Sequence, residues 1–199
     1  NETVVKEVIS ETVIQKIDAD LSDYKYMYYE LRKVAYKANK SVVNISSTYL
    51  VEDWFNNTVE KTIYTTGLIV AETQTEYFIL VNLDRIQDAE KIRLKFFDTV
   101  YVDAWMIDYE KDINLAVIAV NKEEIPSIYL SGLDTAILSE NSSLVVGNPI
   151  MALGAPNGYL NSMGLGIITS EGSSAAITDN ILKLFNTDID DNPDGEGVI

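Results

Sequence analysis

The chain has 199 residues, 47% hydrophobic and 23% charged, and its 31 acidic and 15 basic side chains give a formal net charge of −16. This composition indicates a folded globular protein and disfavours a nucleic-acid partner, because a phosphate backbone repels an acidic surface. Cysteine and histidine are both absent, which excludes disulfides, thiolate zinc sites and an imidazole base. No apolar run approaches the ~18 residues of a membrane span, so no direct membrane insertion is expected.

The first predicted element is an amphipathic helix over residues 23–39. Apolar residues recur there at helical spacing, and Ser22 precedes them as a candidate N-cap. The apolar positions are Tyr24, Met27, Tyr28, Leu31, Val34, Ala35 and Ala38. Residues 1–40 are therefore assigned to an N-terminal extension that ends with this helix.

From residue 41 onwards, short runs of β-branched and aromatic residues alternate with polar turns, which predicts strands. The first group is SVVNIS, TIYTTGLIV, EYFILVN, KIRLKFF, TVYVDAWMID and NLAVIAV. A break near Pro126–Asp134 precedes a second group of strands, which glycines and the turn PNG at 156–158 separate. The chain is therefore predicted to be all-β after the helix, with one β-unit at 41–125 and another at 126–199.

Six segments, taken in order, resemble the landmarks of HtrA-type trypsin-like serine proteases. They include TTGLIV, FILVNLDRI, YEKDINLAVIAV and LVVGNPIMALGAPNGYLNS, and FNTDIDDNPDGEG is similar to the family's nucleophile loop. The resemblance implies a two-barrel trypsin-like (chymotrypsin-type) fold behind the N-terminal helix. Further strands follow the nucleophile loop in that fold, so the second barrel is expected to be incomplete, truncated at the C-terminus.

The resemblance also implies where a catalytic triad would stand. The family's histidine, aspartate and serine fall on Asp84, Asn114 and Glu196, and its oxyanion loop corresponds to Asp194, Gly195 and Glu196. A carboxylate at position 84 is a weak base for a serine hydroxyl, and a charge at position 196 opposes a developing oxyanion. All three triad positions are thus degenerate, and we predict that the chain is a pseudoprotease and not an enzyme.

Three other interpretations stay open at this stage. If the fold holds, Asp84 and Glu196 converge and could form the rebuilt acidic site of a hydrolase. Asp190, Asn192 and Asp194 alternate as the oxygen ligands of calcium loops do. The position of the glutamate that usually closes such loops lies past Ile199, but Glu196 could close the site, so calcium is the single cofactor candidate. The third alternative is a structural oligomerisation module built on the N-terminal helix.

The preferred prediction is a catalytically inactive HtrA-type domain that binds an extended peptide or a protein partner by strand addition. An exposed strand edge in the second β-unit is also compatible with a homo-oligomer. The chain starts at Asn1 and not at a methionine, which indicates a processed fragment. The resemblance implies an extracytoplasmic or cell-surface location in a bacterium, with an anchor upstream of Asn1.

Overall fold

The computed structural model describes residues 20–96, 99–139, 144–177, 180–189 and 196–198. The chain comprises two units, Asn1–Lys33 and Val34–Ile199. The helices are α1 (Leu21–Ala38) and the single turn α2 (Ser127–Leu130). The strands are β1 (Val42–Glu52), β2 (Thr58–Glu72), β3 (Glu76–Asn82), β4 (Lys91–Phe96), β5 (Val100–Glu110), β6 (Leu115–Asn121), β7 (Pro149–Ala155), β8 (Ser162–Ile177), β9 (Asn180–Thr187) and β10 (Glu196–Val198).

The predicted helix is present, but Asp20 caps its start where Ser22 was expected to do so. Asp20 Oδ1 accepts hydrogen bonds from the backbone N–H of Ser22 at 2.6 Å and of Asp23 at 3.1 Å, and also from the Ser22 hydroxyl. These hydrogen bonds lower the pKa of Asp20, and the bond from the Ser22 hydroxyl contributes most. A carboxylate is the better cap here because it accepts several bonds and carries a negative charge at the positive end of the helix.

Strands β1 to β6 close into an antiparallel barrel in the order β1-β2-β3-β6-β5-β4. Alternate side chains of each strand face the interior, which branched aliphatic residues fill. Gly67 on β2 makes room for this packing, because a Cβ at that position would lie 2.6 Å from Ile79 Cγ2. The core cluster consists of Val43, Ile45, Ile69, Tyr77, Ile79, Val81, Leu83, Ile86, Ile92, Leu94, Val102, Ala116, Ile118, Val120 and Ile125.

Strands β7 to β10 form a separate open sheet in the order β10-β7-β8-β9. Its buried apolar side chains, among those described, are Ala152, Leu153, Ala155 and Ile168. Met163, Leu165 and Ile167 of β8 and Leu184 of β9 are between 38% and 43% exposed. The closed barrel, this half-barrel and the N-terminal helix confirm the predicted two-barrel trypsin-like architecture.

The open sheet meets the barrel through β7, the turn that follows it, and β10, which lies against β2. Gly154 of β7 has a φ of +109°, and a Cβ there would collide with the side chain of Thr66 on β2. Nearby, Asn44 Nδ2 on β1 donates a hydrogen bond of 3.1 Å to Asn161 Oδ1. Within the described part of the chain, no helix is both long and apolar enough to cross a membrane.

Candidate functional site

Asp84 lies on a short 3-10 turn, Leu83–Arg85, that follows β3. The flanking side chains Leu83 and Ile86 are anchored in the barrel core, at 4% and 1% exposed. Asp84 itself is exposed between them, and its carboxylate makes no hydrogen bond to another described residue. The turn therefore presents an accessible carboxylate on a rigid support.

Asn114 holds this turn in place from the neighbouring strand connection. Its backbone oxygen accepts a hydrogen bond from the N–H of Leu83, and its Oδ1 accepts one from the N–H of Asp84, both at 3.0 Å. Asn114 has a φ of 55°, a left-handed conformation that asparagine tolerates better than most residues. The structure thus brings together two of the three predicted positions, and Asn114 acts there through the backbone of Asp84.

Tyr49, which the sequence analysis missed, fixes the other end of the same turn. Its hydroxyl donates a hydrogen bond of 2.7 Å to the backbone oxygen of Arg85. Burial raises the pKa of Tyr49 and outweighs the lowering effects of Ser47 and Arg85, while the charges of Asp84 and Asp88 add to the increase. The hydroxyl therefore stays protonated and remains a donor at neutral pH. No motif marks this role, since it depends on β1 lying beside the turn after β3.

Glu196, the third predicted position, begins β10. This strand pairs antiparallel with β7, and Glu196 lies opposite Ala155. The predicted oxyanion-loop residues Asp194 and Gly195 lie outside the described residues, as do the calcium candidates Asp190, Asn192 and Asp194. The described residues contain no group of three or more acidic, histidine or cysteine side chains that could hold a metal ion. The assignment of Glu196 to the serine position stays a prediction.

An apolar cavity of about 440 Å³ lies beside β10, and the sequence analysis missed it as well. Strands from both sheets contribute to its walls, with Val42 and Leu68 from the barrel and Val198 from β10. The remaining lining residues are Val34, Lys37, Ala38, Ser41, Asp134, Thr135, Ala136, Ile137, Leu138, Ser139, Met151 and Leu153. Separate runs of the chain form this cavity, so no local pattern could have revealed it.

Comparison with curated proteins finds relatives among bacterial serine proteases. The chain is 28% identical over 120 residues to a protein of Pseudomonas savastanoi named probable periplasmic serine endoprotease DegP-like, covering 60% of this chain and 23% of that protein. A protein of the same name from Hahella chejuensis is 27% identical over 131 residues, which cover 66% of this chain and 25% of the relative. The chain thus spans about a quarter of the length of these relatives. No family model matches it.

Comparison with solved structures finds the same fold. The HtrA-type protease AlgW, solved with a decapeptide, superposes with a TM-score of 0.63 at 18% identity, covering 83% of this chain and 53% of that one. The same protease with a tripeptide gives a TM-score of 0.59 at 19% identity, covering 80% and 46% of the two chains. Together with the sequence matches, these structures confirm the predicted resemblance to HtrA-type trypsin-like proteases.

One prediction needs correction. The chain was expected not to be an enzyme, whereas its curated relatives are named serine endoproteases, which points to an enzyme. That expectation rested on the substitution of all three triad positions and on the absence of histidine. Carboxylates also act as general acids and bases in enzymes, so the lack of histidine does not by itself decide the matter.

Proposed function

We propose that this HtrA-type trypsin-like protease domain holds an extended peptide by strand addition at the β10 edge of its second, open sheet. The observation that carries the proposal is the combination of a sheet edge with an apolar cavity. Among the described strands, β10 pairs with β7 on one side and with no strand on the other. Backbone N–H and C=O groups at such an edge are ready partners for another strand.

The cavity supplies what strand addition needs for specificity. Main-chain hydrogen bonds give affinity for any extended peptide, whereas a pocket selects the side chains that alternate along it. The cavity beside β10 is lined largely by aliphatic side chains, including Val198, Leu153 and Met151. We therefore expect it to accept an aliphatic side chain of the peptide and to disfavour a charged one.

The comparisons support this proposal by analogy. The two AlgW structures were solved with a decapeptide and a tripeptide, and those peptides belong to AlgW. The named relatives are periplasmic, so we also place this domain outside the cytoplasm of a bacterium. Cationic or neutral peptides suit it best, because the chain carries a formal charge of −16.

The test is fluorescence anisotropy with a labelled decapeptide that has valine at every second position. A control peptide of the same sequence is N-methylated at alternate residues and so lacks the donors of an added strand. Val198→Asp places a charge in the cavity wall, and Val145→Asp adds the same charge at a residue that is 55% exposed and does not line the cavity.

We expect Val198→Asp to weaken binding by about tenfold or more, since a charge in an apolar wall is poorly solvated. N-methylation should abolish binding, and Val145→Asp should leave it nearly unchanged. The proposal fails if the unmodified peptide does not bind, if the N-methylated peptide binds as well, or if the two aspartate variants behave alike.

Hydrolysis of the bound peptide is a second candidate function, favoured by the relatives named endoproteases and by the contact between Asn114 and Asp84. Without histidine in these 199 residues, proton transfer would fall to carboxylates, and Asp84 and Glu196 are the predicted pair. This candidate rests on the assignment of those two residues, which is itself a proposal.

The second candidate is tested by casein digestion, with and without millimolar calcium. Asp84→Asn should reduce digestion by about a hundredfold, the usual contribution of a general acid or base. Asp88→Asn is the matched control, because Asp88 is also exposed and its φ of 62° suits asparagine. Absence of digestion by the unmodified protein, equal digestion by both variants, or labelling by a fluorophosphonate probe would rule out the acidic site.

A further inference from the structure

Three basic residues point outward from one barrel strand of this acidic chain. Lys91, Arg93 and Lys95 occupy alternate positions of β4, and the residues between them, Ile92 and Leu94, belong to the barrel core. Alternate residues of a strand share a face and follow one another at about 7 Å. We call these three residues the basic row.

Two members of the basic row lie on tyrosine rings, one on the adjacent strand β5 and one on β2, beyond β1. The Arg93 guanidinium carbon is 4.5 Å from the centre of the Tyr101 ring on β5. Lys95 Nζ is 4.7 Å from the centre of the Tyr64 ring on β2. A guanidinium group that stacks on an aromatic ring contacts the ring with its flat face. The N–H groups of Arg93 lie in the plane of the guanidinium, so they remain directed toward other acceptors.

Buried hydroxyl groups without partners lie under the basic row. β1 runs between β2 and β4, and its residues Ser46 and Thr48 lie directly opposite Arg93 and Lys91. Ser46 is 0% and Thr48 8% exposed, and neither hydroxyl oxygen has a hydrogen-bond partner. Arg93 Nε is likewise buried without one. Unsatisfied buried polar atoms are costly, and three on one face indicate an acceptor that the chain does not supply.

The nearest acidic candidate does not supply it either. Asp103 on β5 lies directly opposite Arg93 in the strand register, yet it is exposed and forms no ion pair with it. The Lys91 ammonium also has no carboxylate partner among the described residues. The positive charge of Lys91 and Arg93 is therefore not neutralised by an ion pair within the described part of the barrel.

We propose that the basic row binds an extended acidic segment of a partner protein, with a carboxylate at every second residue. The spacing of such carboxylates matches that of the row, because both follow the period of an extended chain. Arg93 can hold both oxygens of a carboxylate with two parallel N–H donors. The Ser46 hydroxyl, which lies opposite Arg93 on β1 and has no partner, is placed to donate to the same carboxylate. The net charge of −16 opposes a long polyanion such as a nucleic acid, which would extend past the basic row, more than it opposes a short acidic segment that the row covers.

This surface is separate from the proposed peptide site. It consists of outward residues of β4, with the adjoining β1, β2 and β5, whereas the peptide edge is β10 beside an apolar cavity. None of the basic-row residues lines that cavity. Failure at one surface therefore leaves the other testable, and the two bind peptides of opposite character.

The test uses anisotropy of a labelled peptide with aspartate at alternate positions and serine between them. The same peptide with asparagine for aspartate is the neutral control, and a single-stranded oligothymidylate is the phosphate control. The variants Arg93→Gln and Ser46→Ala test whether the basic row and the hydroxyl opposite it contribute to binding. Lys111→Gln is the matched control, since Lys111 also lies over a tyrosine ring, that of Tyr109 at 5.7 Å, but outside the basic row.

The acidic peptide should bind and weaken with added salt, while the asparagine peptide should not bind. Arg93→Gln should lower the affinity by about tenfold, the scale of a lost charge-assisted hydrogen bond, and Lys111→Gln by less than about twofold. Ser46→Ala should lower it without lowering the melting temperature, because the hydroxyl has no partner in the free protein.

Several results would overturn the proposal. They are equal binding of the asparagine peptide, equal effects of Arg93→Gln and Lys111→Gln, and tighter binding of the oligonucleotide than of the acidic peptide. A loss of melting temperature in Ser46→Ala would also count against it, since the hydroxyl would then have a structural role. If Arg93→Gln does not fold, Lys91→Gln at the end of the row replaces it with the same expected direction.

Discussion

The closed barrel and the open sheet belong to one unit of the chain but differ in what stabilises them. The barrel has a continuous core of branched side chains and no free strand edge. The open sheet buries few described apolar residues and leaves Leu165 and Ile167 about two-fifths exposed. A closed barrel pairs every strand on both sides and encloses its own apolar core. An open sheet leaves its edge strands unpaired on one side and needs other parts of a protein to cover its apolar face. The barrel therefore serves as a scaffold, whereas the open sheet provides a surface that is available for binding.

The barrel also supports the parts of the candidate site that the structure describes in full. Asp84 stands between buried anchors of the barrel, and Asn114 and Tyr49 hold its turn through hydrogen bonds. Glu196, by contrast, starts the edge strand of the open sheet. Asp84 and Asn114 are therefore held rigidly, whereas Glu196 lies on an edge strand that is open to pairing with another strand.

The largest expected contrast comes from truncating one isoleucine in each region. Ile118→Ala removes a side chain that is 0% exposed in the barrel core, and should lower the free energy of unfolding by about 4 kcal/mol. Ile167→Ala in β8, where the side chain is 42% exposed, should cost less than about 1 kcal/mol. Urea denaturation followed by tryptophan fluorescence measures both. Equal losses would mean that the open sheet shares the core of the barrel.

The next contrast concerns the junction between the two regions. Gly154→Ala forces a Cβ against Thr66 at a φ of +109°, and should lower the free energy of unfolding by about 3 kcal/mol. Gly147→Ala has the same kind of backbone, with a φ of +89°, but nothing within 4 Å of the new Cβ, and should cost only about 1 kcal/mol. The same urea assay applies. If Gly147→Ala costs as much, backbone strain and not the collision with Thr66 decides the effect.

A smaller effect is expected at the hydrogen bond that holds Asp84. Asn114→Ala removes the acceptor for the Asp84 N–H and leaves an alanine at a φ of 55°, so it should lower the free energy of unfolding by about 2 kcal/mol. Asn114→Asp keeps an acceptor and a residue that tolerates this backbone, and should change it by less than about 0.5 kcal/mol. Amide exchange at Asp84 should accelerate in the alanine variant alone. Unchanged exchange there would show that Asn114 does not hold the turn.

The smallest effect lies at the helix start. Because hydrogen bonds lower the pKa of Asp20 below 3.8, its contribution to helix stability is present above the unfolded pKa and is lost as pH falls through the folded value. Circular dichroism should show helicity falling in that acidic range, and Asp20→Asn should make it insensitive to pH there. An NMR titration of the Asp20 carboxyl at or above 3.8 would contradict the capping interpretation.

The sequence predicted the elements of this fold better than their contacts. Strand periodicity located the barrel strands and most of the second sheet, and the helical stripe located α1, because these patterns are local; β10 was missed, since its residues were assigned to the nucleophile loop. The order of six segments led to the trypsin-like architecture and to the meeting of Asp84 with Asn114. The cap was misassigned to Ser22 because spacing alone does not show which oxygen faces the first N–H groups. The conclusion on enzymatic activity was wrong for a different reason, since it judged activity from the loss of the family's triad residues alone, whereas the relatives named endoproteases point to an enzyme.

By itself, then, the sequence determined composition, strand and helix periods, the charge of −16 and the absence of histidine, all of which are properties of the chain. The tertiary structure alone decided which strands are neighbours. Strand register placed Ser46 opposite Arg93, and packing between the sheets formed the cavity beside Val198. Both features depend on residues far apart in sequence, whose approach follows from closing the barrel and not from any local preference.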